Sequence, residues 1–162
     1  MPTTLKDDLD AIFSAHEKAT ALIAQQVSDK DSSERAFLER FHLLRESLIK
    51  PVFKEVGELV KARGYDYTIT VLDERRDASG RPEGPQIEIA FLTDAAGAGG
   101  DGLYPRFTVV AEKYAAKLRF RESTTRPGRS GRTGDAGEST LEGLTRDLLE
   151  QRLVALLREV FK

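Results

Sequence analysis

The densest chemistry in the chain lies between Lys117 and Arg132. Here Lys117, Arg119, Arg121, Arg126, Arg129 and Arg132 stand against a single acid, Glu122. Guanidinium groups fork onto phosphate oxygens, and Gly128 and Gly131 let a backbone come close to such a ligand. Arg119, Arg121, Arg126, Arg129 and Arg132 are therefore the candidate phosphate-binding residues, with Arg106 joining them if it shares the solvated face of a sheet. The competing account is a solvated basic loop that keeps an edge strand from pairing with other chains. Nucleic acid fits less well. Phe120 is the one aromatic residue in the run, and strand alternation turns it inward, so bases lack a stacking platform.

The remaining reactive side chains do not assemble into a catalytic set. The chain has no cysteine, which excludes disulfides, thiolate metal sites and cysteine nucleophiles. His16 and His42 are the two histidines. Glu39, His42 and Glu46 stand three and four residues apart on one helical face, yet no ligand motif accompanies them, so a structural role outweighs metal binding. Asp73 and Glu74 are followed at once by Arg75 and Arg76, which neutralise rather than raise their proton affinity. Gly97, Gly99, Gly100 and Gly102 lack a following Lys-Ser/Thr and a helix, so they read as a hairpin connection rather than a nucleotide loop. Tyr65, Tyr67, Tyr104 and Tyr114 fall at strand ends, where rings either line a ligand mouth or pack at a rim. No catalytic residue, cofactor or metal is expected, and the balance leans away from an enzyme.

The elements that must position these residues follow from hydrophobic rhythm. Leu5, Leu9, Ile12, Ala19, Ile23 and Val27 recur at three- and four-residue steps, with His16 on the same narrow stripe, and predict a helix from Thr4 to Val27. Ser28-Asp29-Lys30-Asp31-Ser32 predicts a break and a new helical start, with Asp31 and Glu34 in capping-box spacing. Phe37, Phe41, Leu44, Leu48, Val52, Val56 and Leu59 carry a second helix to Arg63, with a kink near Lys50 because Pro51 has no amide hydrogen. Together residues 4–63 predict an antiparallel helical hairpin.

At Tyr65 the period becomes two. Tyr65, Tyr67, Ile69 and Val71, then Ile87, Ile89 and Phe91, then Phe107, Val109 and Ala111, then Leu118 and Phe120 predict a four-stranded antiparallel meander over 65–121. Residues 122–138, rich in glycine, serine and arginine, read as a flexible basic loop. Ser139 and Glu142 repeat the capping spacing, and Leu141, Leu144, Leu148, Leu156 and Val160 predict a C-terminal helix over 139–162 that covers the sheet. The fold class is α+β, in a single domain.

Forty per cent hydrophobic and 32% charged residues with a formal charge of −2 describe an ordinary globular chain with no global field toward nucleic acid or lipid. The acidic N-terminal stretch and the lack of a long apolar run lead to the expectation of a cytoplasmic protein without membrane contact. Helices of about 24 and 31 residues span roughly 36 and 46 Å, more than strands of about eight residues can cover. The surplus apolar stripe points to a non-catalytic interaction module, a homodimer through helices 4–63 or a complex with another protein. Phosphate or nucleic-acid binding through 117–132 is the alternative, and small-molecule binding between sheet and helices the third.

Overall fold

The computed structural model describes residues 4–93, 104–126 and 131–161. The glycine-rich stretch around Gly97–Gly102 and Arg129 lie outside the described residues. The chain forms two compact units, Met1–Ala36 and Phe37–Lys162.

The first unit is helical. Helix α1 spans Leu5–Leu44 and opens on a reciprocal cap. The Thr4 hydroxyl accepts the Asp7 amide at 3.2 Å, and the Asp7 carboxylate accepts the Thr4 amide at 3.4 Å. The expected break at Ser28–Ser32 does not occur, so the helical hairpin is corrected to one long helix. Serine and aspartate prefer helix ends only by fractions of a kcal/mol. No glycine or proline in the segment forces the chain out, and the Gln25 amide donates to Asp29 at 2.9 Å across one helical turn. None of the described residues in this unit is buried.

The second unit holds the core. Phe37 and Phe41 are the buried residues of α1. The backbone then widens into a π-helical turn, Arg45–Ile49, before helix α2, Lys50–Lys61. The Lys50 amide donates to the Arg45 carbonyl, and Pro51 sits in the first turn of α2, where its missing donor costs little. In place of the expected kink near Lys50, the helical backbone runs on through this wider turn just before the proline. Gly64, at φ 97°, ends the helical stretch in the left-handed conformation.

The sheet has five antiparallel strands in the order β1 (Asp66–Leu72), β4 (Gln86–Leu92), β5 (Arg106–Glu112), β6 (Lys117–Ser123) and β7 (Thr133–Ser139). A short hairpin, β2 (Arg75–Arg76) with β3 (Pro82–Glu83), separates β1 from β4. The expected four-stranded meander is therefore extended by β7, which lies in the segment expected to be a loop. Its sequence, TGDAGES, offers almost no apolar alternation, and its backbone pairing with β6 supplies what side-chain packing does not. An extra residue opposite Phe120/Arg121 bulges the ladder, and Gly137, at φ 112°, absorbs it.

Helix α3 spans Arg146–Val160, starting later than the Ser139 cap predicted. Thr145 is the actual cap, accepting the Leu148 amide at 3.2 Å. Ser139 instead ends β7, and the Thr140 hydroxyl accepts the Gly143 amide in a turn. Leu149, Leu153, Leu156 and Val160 of α3, Val52 and Phe53 of α2, and the inward residues of β4, β5 and β6 form one buried cluster. Phe107 lies at its centre, edge-on to Phe53 at 6.1 Å and tilted on Phe120 at 5.6 Å.

Candidate functional site

Two surfaces emerge, one apolar and one charged. The apolar one belongs to the first unit. Leu5, Leu9, Ile12, Phe13, Ile23 and Val27 lie on α1 with between 41% and 75% of their surface in water. Scattered exposed apolar residues are ordinary. Here they share one stripe of the helix, with Leu22 exposed away from it, and such a stripe is the composition of a helix seam.

The charged surface is the sheet face opposite the core. Across it run Leu72, Gln86, Val110 and Arg119 in one row and Thr70, Glu88, Thr108 and Arg121 in the next. The β2–β3 hairpin is tied to one end of this face. Glu83 accepts from Arg75 and from Arg121, each at 3.1 Å, and the Ala111 amide donates to the Pro85 carbonyl at 2.9 Å. Gly84 permits that approach, since a Cβ there would stand 1.8 Å from the Ala111 carbonyl oxygen. Beside the hairpin lies a cleft of about 370 Å³ lined by Arg75, Gln86, Glu88, Arg106, Thr108 and Arg121 among others. The Thr108 hydroxyl donates to Glu88 at 3.1 Å, and Arg106 reaches the same carboxylate at 3.6 Å. Among the described residues, the buried Gln86 side-chain oxygen has no hydrogen-bond partner.

Among the described residues, the predicted arginines are not brought into one cluster. Arg119 pairs with Glu112 at 3.0 Å and Arg121 with Glu83, both on the outer sheet face. Arg126 lies at the end of α3, donating to the Val160 carbonyl at 3.0 Å with its guanidinium over the Phe161 ring. That position satisfies a terminal carbonyl at the negative end of the helix dipole. Arg132 forks onto Glu159 and also contacts Glu122; the two carboxylates hold its proton more firmly than usual. Lys117 pairs with Glu138 at 3.0 Å. The sequence showed the basic run, whereas its acidic complement comes from β3, β5, β7 and α3.

The other singled-out residues have local roles. His42 takes a hydrogen bond on Nδ1 from Arg45 at 3.0 Å, and arginine has no acceptor, so the imidazole accepts. Asp73 and Glu74 are met by Arg45 and Lys113, whereas Arg75 turns to Glu83. Tyr65 tilts against Phe161, Tyr67 lies along α2, Tyr104 is half-buried and Tyr114 is exposed. Among the described residues, no group of three or more His, Asp or Glu side chains is placed to hold a metal ion, and no helix is long and apolar enough to cross a membrane. Between α2 and α3, Val56, Leu59, Val60, Tyr65, Val154 and Leu157 line an apolar groove of about 300 Å³, shallower than the cleft on the sheet.

No known family model, curated protein or solved structure matches the chain.

Proposed function

We propose that the chain is a non-catalytic self-association module whose contact surface is the apolar stripe of α1. One observation carries this reading: six large apolar side chains stand on a single helical stripe with water on them, in a unit none of whose described residues is buried. Covering the exposed half of a leucine or isoleucine contributes about 1 kcal/mol. Two copies of the stripe then contribute on the order of 10 kcal/mol, within the ~4–15 kcal/mol that association costs in lost motion. The balance supports a pair whose formation depends on concentration. Multi-angle light scattering at micromolar protein should return a mass near twice 18.0 kDa. A mass of one chain at that concentration overturns the reading.

A second reading rests on the Gln86 oxygen, which has no partner among the described residues. The cleft takes a small anion bearing a hydroxyl or amide donor, the donor satisfying Gln86 and the charge meeting Arg75, Arg106 or Arg121. This keeps the phosphate chemistry of the basic run but moves it to the outer sheet face. Calorimetric titration with inorganic phosphate and glycerol phosphate in low salt tests it. Heat that disappears in Arg121→Ala supports the site, and no heat with either compound removes it.

A further inference from the structure

We infer that the ligand of the sheet cleft is a small zwitterion, its ammonium held by Glu88 and Gln86 and its phosphate by Arg106. This rests on the second reading, that the cleft takes an anion, and goes beyond it in making the donor end a cation.

The cleft is not a basic one. Arg75, Arg106 and Arg121 line it together with Glu83, Glu88 and Glu122, so the two signs balance. A phosphate entering alone brings excess negative charge beside half-buried carboxylates, and like charges at close range repel. A ligand with a positive charge of its own offsets that excess.

The hydrogen bonds already made show where the two ligand charges go. Glu83 is engaged on both oxygens, by Arg75 and by Arg121, each at 3.1 Å. Glu122 is held by Arg132. Glu88 is different. Its Oε1 accepts the Thr108 hydroxyl at 3.1 Å, and Arg106 stands 3.6 Å from that same oxygen, beyond hydrogen-bond reach. An ionised carboxylate accepts at both oxygens, and Oε2 of Glu88 has no donor among the described residues. The Arg106 guanidinium, a fork of several N–H donors, has no acceptor among them either.

Gln86 completes the set. It lies two residues from Glu88 on β4 and so shares the outer face, and only 6% of its surface is exposed. Two acceptors in want of a donor therefore stand on β4. The donor in want of acceptors stands on β5, where Arg106 is the diagonal neighbour of Glu88. A primary ammonium offers its hydrogens to both acceptors at once, and a guanidinium forks onto phosphate oxygens. Because Arg106 and Glu88 are already near each other, the ligand's two charges must be joined by a short link.

O-Phosphoethanolamine has this form, and glycerol phosphate offers the same phosphate with hydroxyls in place of the ammonium. Calorimetric titration of the full chain with each compound in low salt is the test. We expect phosphoethanolamine to bind roughly tenfold tighter, because hydrogen bonds to charged groups outweigh neutral ones. Glu88→Gln keeps the side chain's shape and an acceptor for Thr108 while removing the charge, so it should erase that advantage. Gln86→Met, which removes the other acceptor, should narrow it, and thermal melts verify that each variant is folded. Arg106→Ala should lose both compounds. Phosphocholine, whose methylated nitrogen keeps the charge but cannot donate, should bind more weakly than phosphoethanolamine. Sedimentation with phosphatidylethanolamine–phosphatidylcholine vesicles separates two sources of the same chemistry. Chain left in the supernatant points to the free compound, and chain carried down natively but not as Glu88→Gln points to a lipid headgroup. Equal affinity for phosphoethanolamine and glycerol phosphate, an advantage that survives Glu88→Gln and Gln86→Met, or phosphocholine binding as tightly overturns the inference and leaves the anion site standing. No heat with any of the three compounds removes both.

Discussion

At the scale of single residues, a close packing decision is made where Tyr67 of β1 meets α2. Its ring lies flat over Gly57, so close that a Cβ on that glycine would stand 2.5 Å from ring carbons. An alanine in a helix interior is ordinarily better than glycine by about 1 kcal/mol. Here the overlap with a half-buried aromatic ring outweighs that gain, so Gly57→Ala should destabilise by roughly 1–3 kcal/mol in urea unfolding. The Tyr67 hydroxyl donates to Glu58 at 2.8 Å, and the carboxylate it bonds raises its pKa above the usual phenol value. The sign follows directly. The unfolded phenol ionises first, so the contribution is complete below the unfolded value of about 10 and is lost as pH rises through the folded one. Unfolding midpoints measured from pH 8 to 11 should fall more steeply for the native chain than for Tyr67→Phe; parallel curves would show that the bond contributes nothing. Arg45 is a contrasting case, a buried cation shared by the Leu72 carbonyl, His42 and Asp73. His42 stands one helical turn before it, whereas Leu72 and Asp73 are far away in the sequence and are brought to it by the end of β1.

At the scale of elements, what was legible depended on whether packing or pairing makes the element. Ile87, Ile89 and Phe91, like Phe107, Val109 and Ala111, are buried at every second position, so their strands could be read from apolar side-chain rhythm. In β5, Thr108 and Val110 between them are buried as well, and that cover on the outer face could not be read. Nor could β7, because Thr133–Ser139 packs little and is held by its ladder to β6. The helix start had a similar fate. Ser139 and Thr145 both precede a leucine-bearing run, and only the backbone shows that Thr145 accepts the Leu148 amide. Replacing Thr145 by alanine should cost about 1 kcal/mol, the usual worth of such a cap, while Ser139→Ala should leave the unfolding midpoint nearly unchanged. A reversed order of effect in thermal melts would contradict the assignment. The candidate basic site was legible as a list of arginines and illegible as a surface. Arg119 and Arg121 face outward as alternation requires, but Glu112 and Glu83 reach them from other strands, and only the register reveals it.

At the scale of the whole chain, the two units stand on different physical footing. Phe37–Lys162 contains the entire buried cluster, so its amides are protected by a core that opens only in large steps. The described residues of Met1–Ala36 contribute no buried side chain, and the helicity of that unit rests on local propensity and on the Thr4–Asp7 cap. A helix without tertiary packing lacks the main source of helical stability in proteins. Association changes this, because a bound partner stabilises by mass action and makes protection depend on concentration. Hydrogen exchange should therefore separate the units. Amides between Asp8 and Lys30 should exchange fast at nanomolar protein and slow progressively toward tens of micromolar, while amides of β4, β5 and β6 keep one rate throughout. Leu9→Asp combined with Ile23→Asp, which sets charge in the stripe without touching the core, should abolish the concentration dependence and leave the sheet's protection intact. Exchange in the first segment that is equally slow at every concentration would mean that its apolar stripe is covered within a single chain, and self-association would then have no surface to use.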